Sequence, residues 1–139
     1  MQSTEDNAHD VWPALPQSAW SDTCATLQLW MQIVGKIRLA LTPPINHTWN
    51  VTLYPTARGL TTTPMPHGSV MLQIDFDFIE HVLLFQTSDG GRHTLLLQPM
   101  TVAAFYQDVM IALDKPACEC APVCASLQRL RAESSTARA

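Results

Sequence analysis

Charge is scarce in this chain: 14% of its 139 residues are Asp, Glu, Lys or Arg, and they sum to a net charge of -4. That balance lacks the basic footprint a nucleic-acid binder needs, so no nucleic-acid partner is expected. Low charge beside a 47% hydrophobic fraction also excludes wholesale disorder, because enough apolar surface is present to offset the entropy of ordering. Residues 1–10 are polar and acidic with no apolar stretch behind them. They make neither a signal nor a transit peptide, and no apolar run is long enough to span a bilayer. The expectation is a cytoplasmic protein with no membrane partner, in which the glycosylation patterns Asn46-His47-Thr48 and Asn50-Val51-Thr52 carry no meaning.

The motifs of familiar chemistries are missing too. There is no nucleophile elbow, P-loop, dinucleotide fingerprint or His-Glu-x-x-His pair. Gly35-Lys36 falls inside an expected helix, without the glycine-rich approach that cradles phosphate. No cofactor is implied.

What is present is a run of strand patterning from Met71 to Gln98. In Val70 to Phe78, alternate residues Val70, Leu72, Ile74, Phe76 and Phe78 share one face, and Met71, Gln73, Asp75 and Asp77 the other. A two-residue turn at Glu80-His81 would set Phe78 opposite Leu83 and Phe76 opposite Phe85. A three-residue loop of Asp89, Gly90 and Gly91 would set Phe85 opposite Leu95 and Leu83 opposite Leu97. The second face then holds Val82, Leu84 and Leu96 beside Gln73, Asp75, Asp77, Gln86 and Thr94. The middle strand is apolar on both sides, so something should cover each face.

Upstream, Pro13 and Pro16 lead into an expected helix from about Ser18 to Leu41, capped by Ser18 or Ser21 and stopped by Pro43-Pro44. Trp20, Leu27, Met31 and Val34 form its apolar stripe, opposite Ser21, Gln28, Gln32 and Lys36. Trp49 to Tyr54 and Leu60 to Thr63 read as strands, and Pro64-Met65-Pro66 as a loop. Thr101 can cap a second helix with Val102, Phe105, Val109 and Leu113 on one face. One helix for each side of the sheet would meet the demand for cover. The chain reads as a single α+β domain over residues 11–114: an antiparallel sheet of about five strands, a meander, packed by an N-terminal and a C-terminal helix. Residues 1–10 are expected to be disordered, and 115–139 to be a disordered or out-of-family tail. Cys118, Cys120 and Cys124 in that tail lack the paired spacing of a structural zinc site, so no metal is expected.

Several blocks in order carry a resemblance: Trp12-Pro-Ala-Leu-Pro, the run from Thr26 to Leu39, Asn46-His47, Thr56 to Thr62, Asp75-Phe76-Asp77-Phe78 and Phe105-Tyr106. Over roughly Val11 to Leu113 the chain resembles an uncharacterised bacterial family, domain of unknown function 5996. The resemblance implies no activity. It does imply that a C-terminal half which relatives carry, rich in aromatics and histidine, is missing after Leu113.

Three groups of residues are candidates for a site. Arg38 shares the helical stripe of Trp20, Leu27 and Met31; it reads either as a snorkelling side chain set against the helix dipole, or as an anion site able to pair with Asp75, Asp77 or a ligand carboxylate or phosphate. Asp75 and Asp77 lie two apart on one strand face, a spacing open to acid and base roles or to a solvated surface. His47, Trp49, Tyr54, Arg58 and His67 cluster around the first hairpin, where they could line a pocket or serve as core and turn residues. The expected function is a non-catalytic small-molecule or partner-binding domain whose ligand-binding set is Arg38, His47, Trp49, Arg58, Asp75 and Asp77. The alternatives are a hydrolase-like enzyme using Asp75 or Asp77 with His47 and Arg38, and a self-association module, a homo-oligomer through the apolar sheet face.

Overall fold

Strand β4, Val70–Asp77, is the spine of a six-stranded antiparallel sheet. The computed structural model describes residues 14–114, so segment 1–10, the tail 115–139 and its three cysteines lie outside the described residues. The other strands are β1 Tyr54–Pro55, β2 Gly59–Thr61, β3 Met65–His67, β5 Val82–Thr87 and β6 Arg92–Leu96. The sheet runs β1-β2-β4-β5-β6, with β3 sharing the β2 edge of β4. That edge is split at Ile74. Thr62 bridges the gap there: its N–H donates to the Ile74 carbonyl at 3.0 Å and its hydroxyl accepts the Ile74 N–H at 3.0 Å. Thr63 then turns the chain at φ 60°, so the run expected as one strand and a proline loop becomes two short strands.

Helix α1, Gln17–Leu41, and helix α2, Val102–Asp114, lie against the same side of this sheet. Trp30 of α1 stacks on Phe105 of α2 with ring centroids 4.6 Å apart. Beneath them, Val34, Ile37, Val109 and Leu113 pack with Leu72, Ile74, Phe76, Leu83 and Phe85 into one core of fully buried side chains. The expectation of one helix per face is therefore corrected: both helices must reach the face that concentrates the Phe, Ile and Leu side chains, because burying that surface is the largest available gain. Among the described residues, no helix covers the second face.

The α1 stripe is also rotated from its expected position. Trp20 is exposed and Leu27 and Met31 are half-buried, while Trp30, Val34, Ile37 and Arg38 are buried. Pro16, not Ser18 or Ser21, sits at the N-cap, and no side chain caps the helix there. Of the segment expected as a strand from Trp49 to Tyr54, the first half lies in a 3-10 helix, Asn46–Val51, with left-handed backbone at His47 and Thr48, and only Tyr54 enters a strand, β1. Gly35 permits its approach to α1, since a Cβ there would meet Val51 Cγ1 at 3.3 Å.

Both hairpin registers differ from expectation by two residues. Phe76 pairs with Leu83 and Ile74 with Phe85, around a four-residue connection, Phe78 to His81. The Asp77 carboxylate lengthens it by accepting the N–H groups of Ile79 (2.9 Å) and Glu80 (3.0 Å). The second loop has three residues, as expected, but they are Ser88, Asp89 and Gly90: Thr87 donates its N–H to Gly91 O at 2.9 Å, and Leu83 faces Leu95. Gly90 takes the left-handed position at φ 95°. A slip of two leaves the paired side chains of β4, β5 and β6 on their assigned faces, while Phe78, expected opposite Leu83, falls in the connection and is exposed.

Candidate functional site

The uncovered face of the sheet reads in rows. Gly59, Asp77, Val82 and Leu96 form one row across β2, β4, β5 and β6; Thr61, Asp75, Leu84 and Thr94 form the next; Gln73, Gln86 and Arg92 form the third. The loops at Thr56–Arg58 and Thr63–Pro64 rise beside the twisted sheet and border an open, shallow cavity of about 530 Å³. Arg58, Asp75, Asp77 and Arg92 supply its charges.

Two of those charges neutralise each other. Arg58 Nε donates to Asp77 Oδ2 at 2.6 Å and its Nη2 to Glu80 Oε1 at 3.3 Å, closing the β4–β5 turn against the β1–β2 turn. The hydrogen bond from Arg58, followed by the Glu80 N–H, holds the Asp77 carboxyl below the usual carboxylate range; the same hydrogen bond raises Arg58. Arg58 and Asp77 thus form a braced corner of the cavity.

Asp75 differs. It makes no ion pair among the described residues. Gln73 Nε2 donates to both of its oxygens, at 3.0 and 2.8 Å, and Gln86 Nε2 donates to Oδ2 at 3.0 Å. A carboxylate only accepts, so each amide must turn its nitrogen toward Asp75 and leave its oxygen as an acceptor. Arg92, on the neighbouring strand beside Gln86, is exposed and forms no ion pair among the described residues. Sequence reasoning missed Gln73 and Gln86 as partners of Asp75, and missed Arg92 altogether. The parity that put Gln86 on this face extends to Arg92 once the β5–β6 register is known.

The other expected residues lie elsewhere. Arg38 is buried beneath α1, where Nε donates to Asn50 O at 2.6 Å and Nη1 donates to Thr62 O. Its guanidinium carbon stands 5.3 Å from the centre of the Tyr54 ring. These contacts of Arg38 all join elements of the fold, and among the described residues none reaches Asp75 or Asp77. His47 and Trp49 are exposed on the 3-10 helix, with ring centroids 6.3 Å apart, and neither lines the cavity. His67 is buried in β3. The structure thus brings together Arg58, Asp75 and Asp77 from the expected set and separates them from Arg38, His47 and Trp49.

Among the described residues, no group of three His, Cys, Asp or Glu side chains is placed to hold a metal ion. No helix among them is long and apolar enough to cross a membrane. No curated protein and no solved structure matches the chain. A family model does match, over residues 12–127, so that the boundary expected at Asp114 falls inside the match. A match over most of the chain settles its membership: the protein belongs to the family of unknown function DUF5996.

Proposed function

We propose that the chain is a non-catalytic binding domain that holds a small polar molecule on the open face of its sheet. The observation that carries this reading is Asp75, a half-buried carboxylate in a cavity of about 530 Å³, held by two carboxamides and, among the described residues, by no cation. A cavity of that size fits the range of small-molecule sites, and a few convergent polar groups on an apolar floor are their usual lining. Leu84, with Ala57 and Pro64 at the rim, supplies the apolar part of that lining. The hydrolytic reading needs His47 and Arg38 beside the aspartates, and neither lines the cavity.

A thermal-shift screen of metabolites against the wild type and Leu84→Trp tests the proposal. A ligand at about 100 times its Kd adds ~2.7 kcal/mol of stability. The expected result is a set of compounds that raise the wild-type Tm and leave Leu84→Trp unmoved, because the indole fills the cavity. Shifts that persist in the variant would place binding elsewhere and sink the reading.

Self-association through the same face is the second reading. It is favoured by Leu96, 61% exposed at the end of the row that also holds the half-buried Val82. Light scattering at high concentration separates the two: a monomer excludes the dimer, and a dimer broken by Leu96→Glu supports it.

A further inference from the structure

We infer that the open face takes an amphoteric ligand, whose cationic group is received by Asp75 and whose anionic group is received by Arg92. This rests on the reading of that face as a small-molecule site and names the chemistry of what enters it. Four charges line the cavity, and Arg58 and Asp77 cancel in a 2.6 Å ion pair. Asp75 and Arg92 are left, opposite in sign, each without a counter-charge among the described residues.

The surroundings of each specify a complement. Around Asp75 the amide nitrogens of Gln73 and Gln86 point inward, so the acceptors left free are the two amide oxygens and the remaining carboxylate lone pairs, beside the second N–H of the Gln86 amide. Such a cluster is matched by a cation with several N–H donors, an ammonium or a guanidinium. Arg92 presents a planar fork of donors to solvent, which matches a carboxylate or phosphate. Register fixes the spacing. Arg92 lies two strands from β4 and two residues along from the Asp75 row, about 12 Å between Cα atoms at the usual strand spacing and rise. After the reach of the two side chains, roughly 6–9 Å remains between the charged ends of a ligand. A neutral molecule would leave both charges unanswered, and a singly charged one would answer one of them.

Calorimetric titration of the full chain provides the test, using straight-chain ω-amino acids from aminobutanoate to aminooctanoate beside alkylamines and alkanoates of the same lengths. One amino acid of the series should bind at least about tenfold more tightly than the amine and the acid of its own length. Asp75→Asn should abolish its advantage over the alkanoate, and Arg92→Gln its advantage over the alkylamine. Arg92 is exposed, so its variant keeps the test decisive even if Asp75→Asn unfolds. Single-charge probes binding as tightly as every amino acid, or an Arg92→Gln protein with the wild-type preference, would overturn the inference. If the metabolite screen yields neutral ligands at this face while no amino acid of the series binds, the ligand class fails and the binding reading stands. If nothing of any charge binds there, both fail.

Discussion

Arg38 Nε donates to the carbonyl oxygen of Asn50 at 2.6 Å, tying the last turn of α1 to the 3-10 helix that follows it. The same guanidinium donates to the carbonyl of Thr62, the residue that bridges the split edge of β4. One buried side chain therefore holds three segments that are distant in sequence.

Arg38→Ala should cost about 2–4 kcal/mol in urea denaturation, because the buried Thr62 carbonyl loses this donor and the Asn50 carbonyl keeps only the Thr42 hydroxyl at 3.2 Å. Arg38→Lys should recover only part of the loss, since an ammonium does not span both acceptors as the planar fork does. An unchanged midpoint in Arg38→Ala would contradict this bracing role.

Acid should weaken the Asp77 corner. The folded-state pKa of Asp77 is depressed by the Arg58 hydrogen bond and the turn N–H groups, while the unfolded carboxyl titrates near ~3.9. The contribution is thus fully present above the unfolded value and is lost as pH falls through the folded one. The stability difference between wild type and Asp77→Asn should be flat from pH ~7 to ~5 and shrink below ~4. Urea melts across that range measure it, and a difference that grows on acidification would reverse the assignment.

Gly59 faces Asp77 across the β2–β4 ladder, and a Cβ there would stand 2.0 Å from the carbonyl oxygen of Phe76. The obstacle is backbone, so it cannot rotate away. Gly59→Ala should destabilise the protein by about 2–3 kcal/mol, pushing β2 off the sheet and spreading the Arg58 corner. Hydrogen exchange should report faster opening of β2 than of β5.

In the core, Phe105→Ala should cost about 3–5 kcal/mol, since Phe105 is fully buried and stacks on Trp30. Trp30→Phe should cost less. The Trp30 Nε1 atom is buried without a hydrogen-bond partner among the described residues, so the substitution removes an unpaired donor together with the lost contact area. Equal losses for the two variants would mean that the indole N–H is satisfied.

Alternation along Val70 to Leu97 determined by itself which side chains share a face: Phe76 and Phe85 lie together in the core, and Asp75 and Gln86 lie together on the open side. That much is local, because the two-residue period of a strand survives a register slip of two. The α2 face, Phe105, Val109 and Leu113, was legible for the same reason, through the 3.6-residue period of a helix. Tertiary structure decided the rest. Pairing register depended on the Asp77 carboxylate drawing two more residues into the turn, and the burial of Arg38 depended on carbonyls 12 and 24 residues away. Both helices settled on one face because they bury more apolar surface against each other and the phenylalanines than either gains alone on the mixed side. That choice left Asp75 and Arg92 facing an open cavity, an arrangement that no local period encodes.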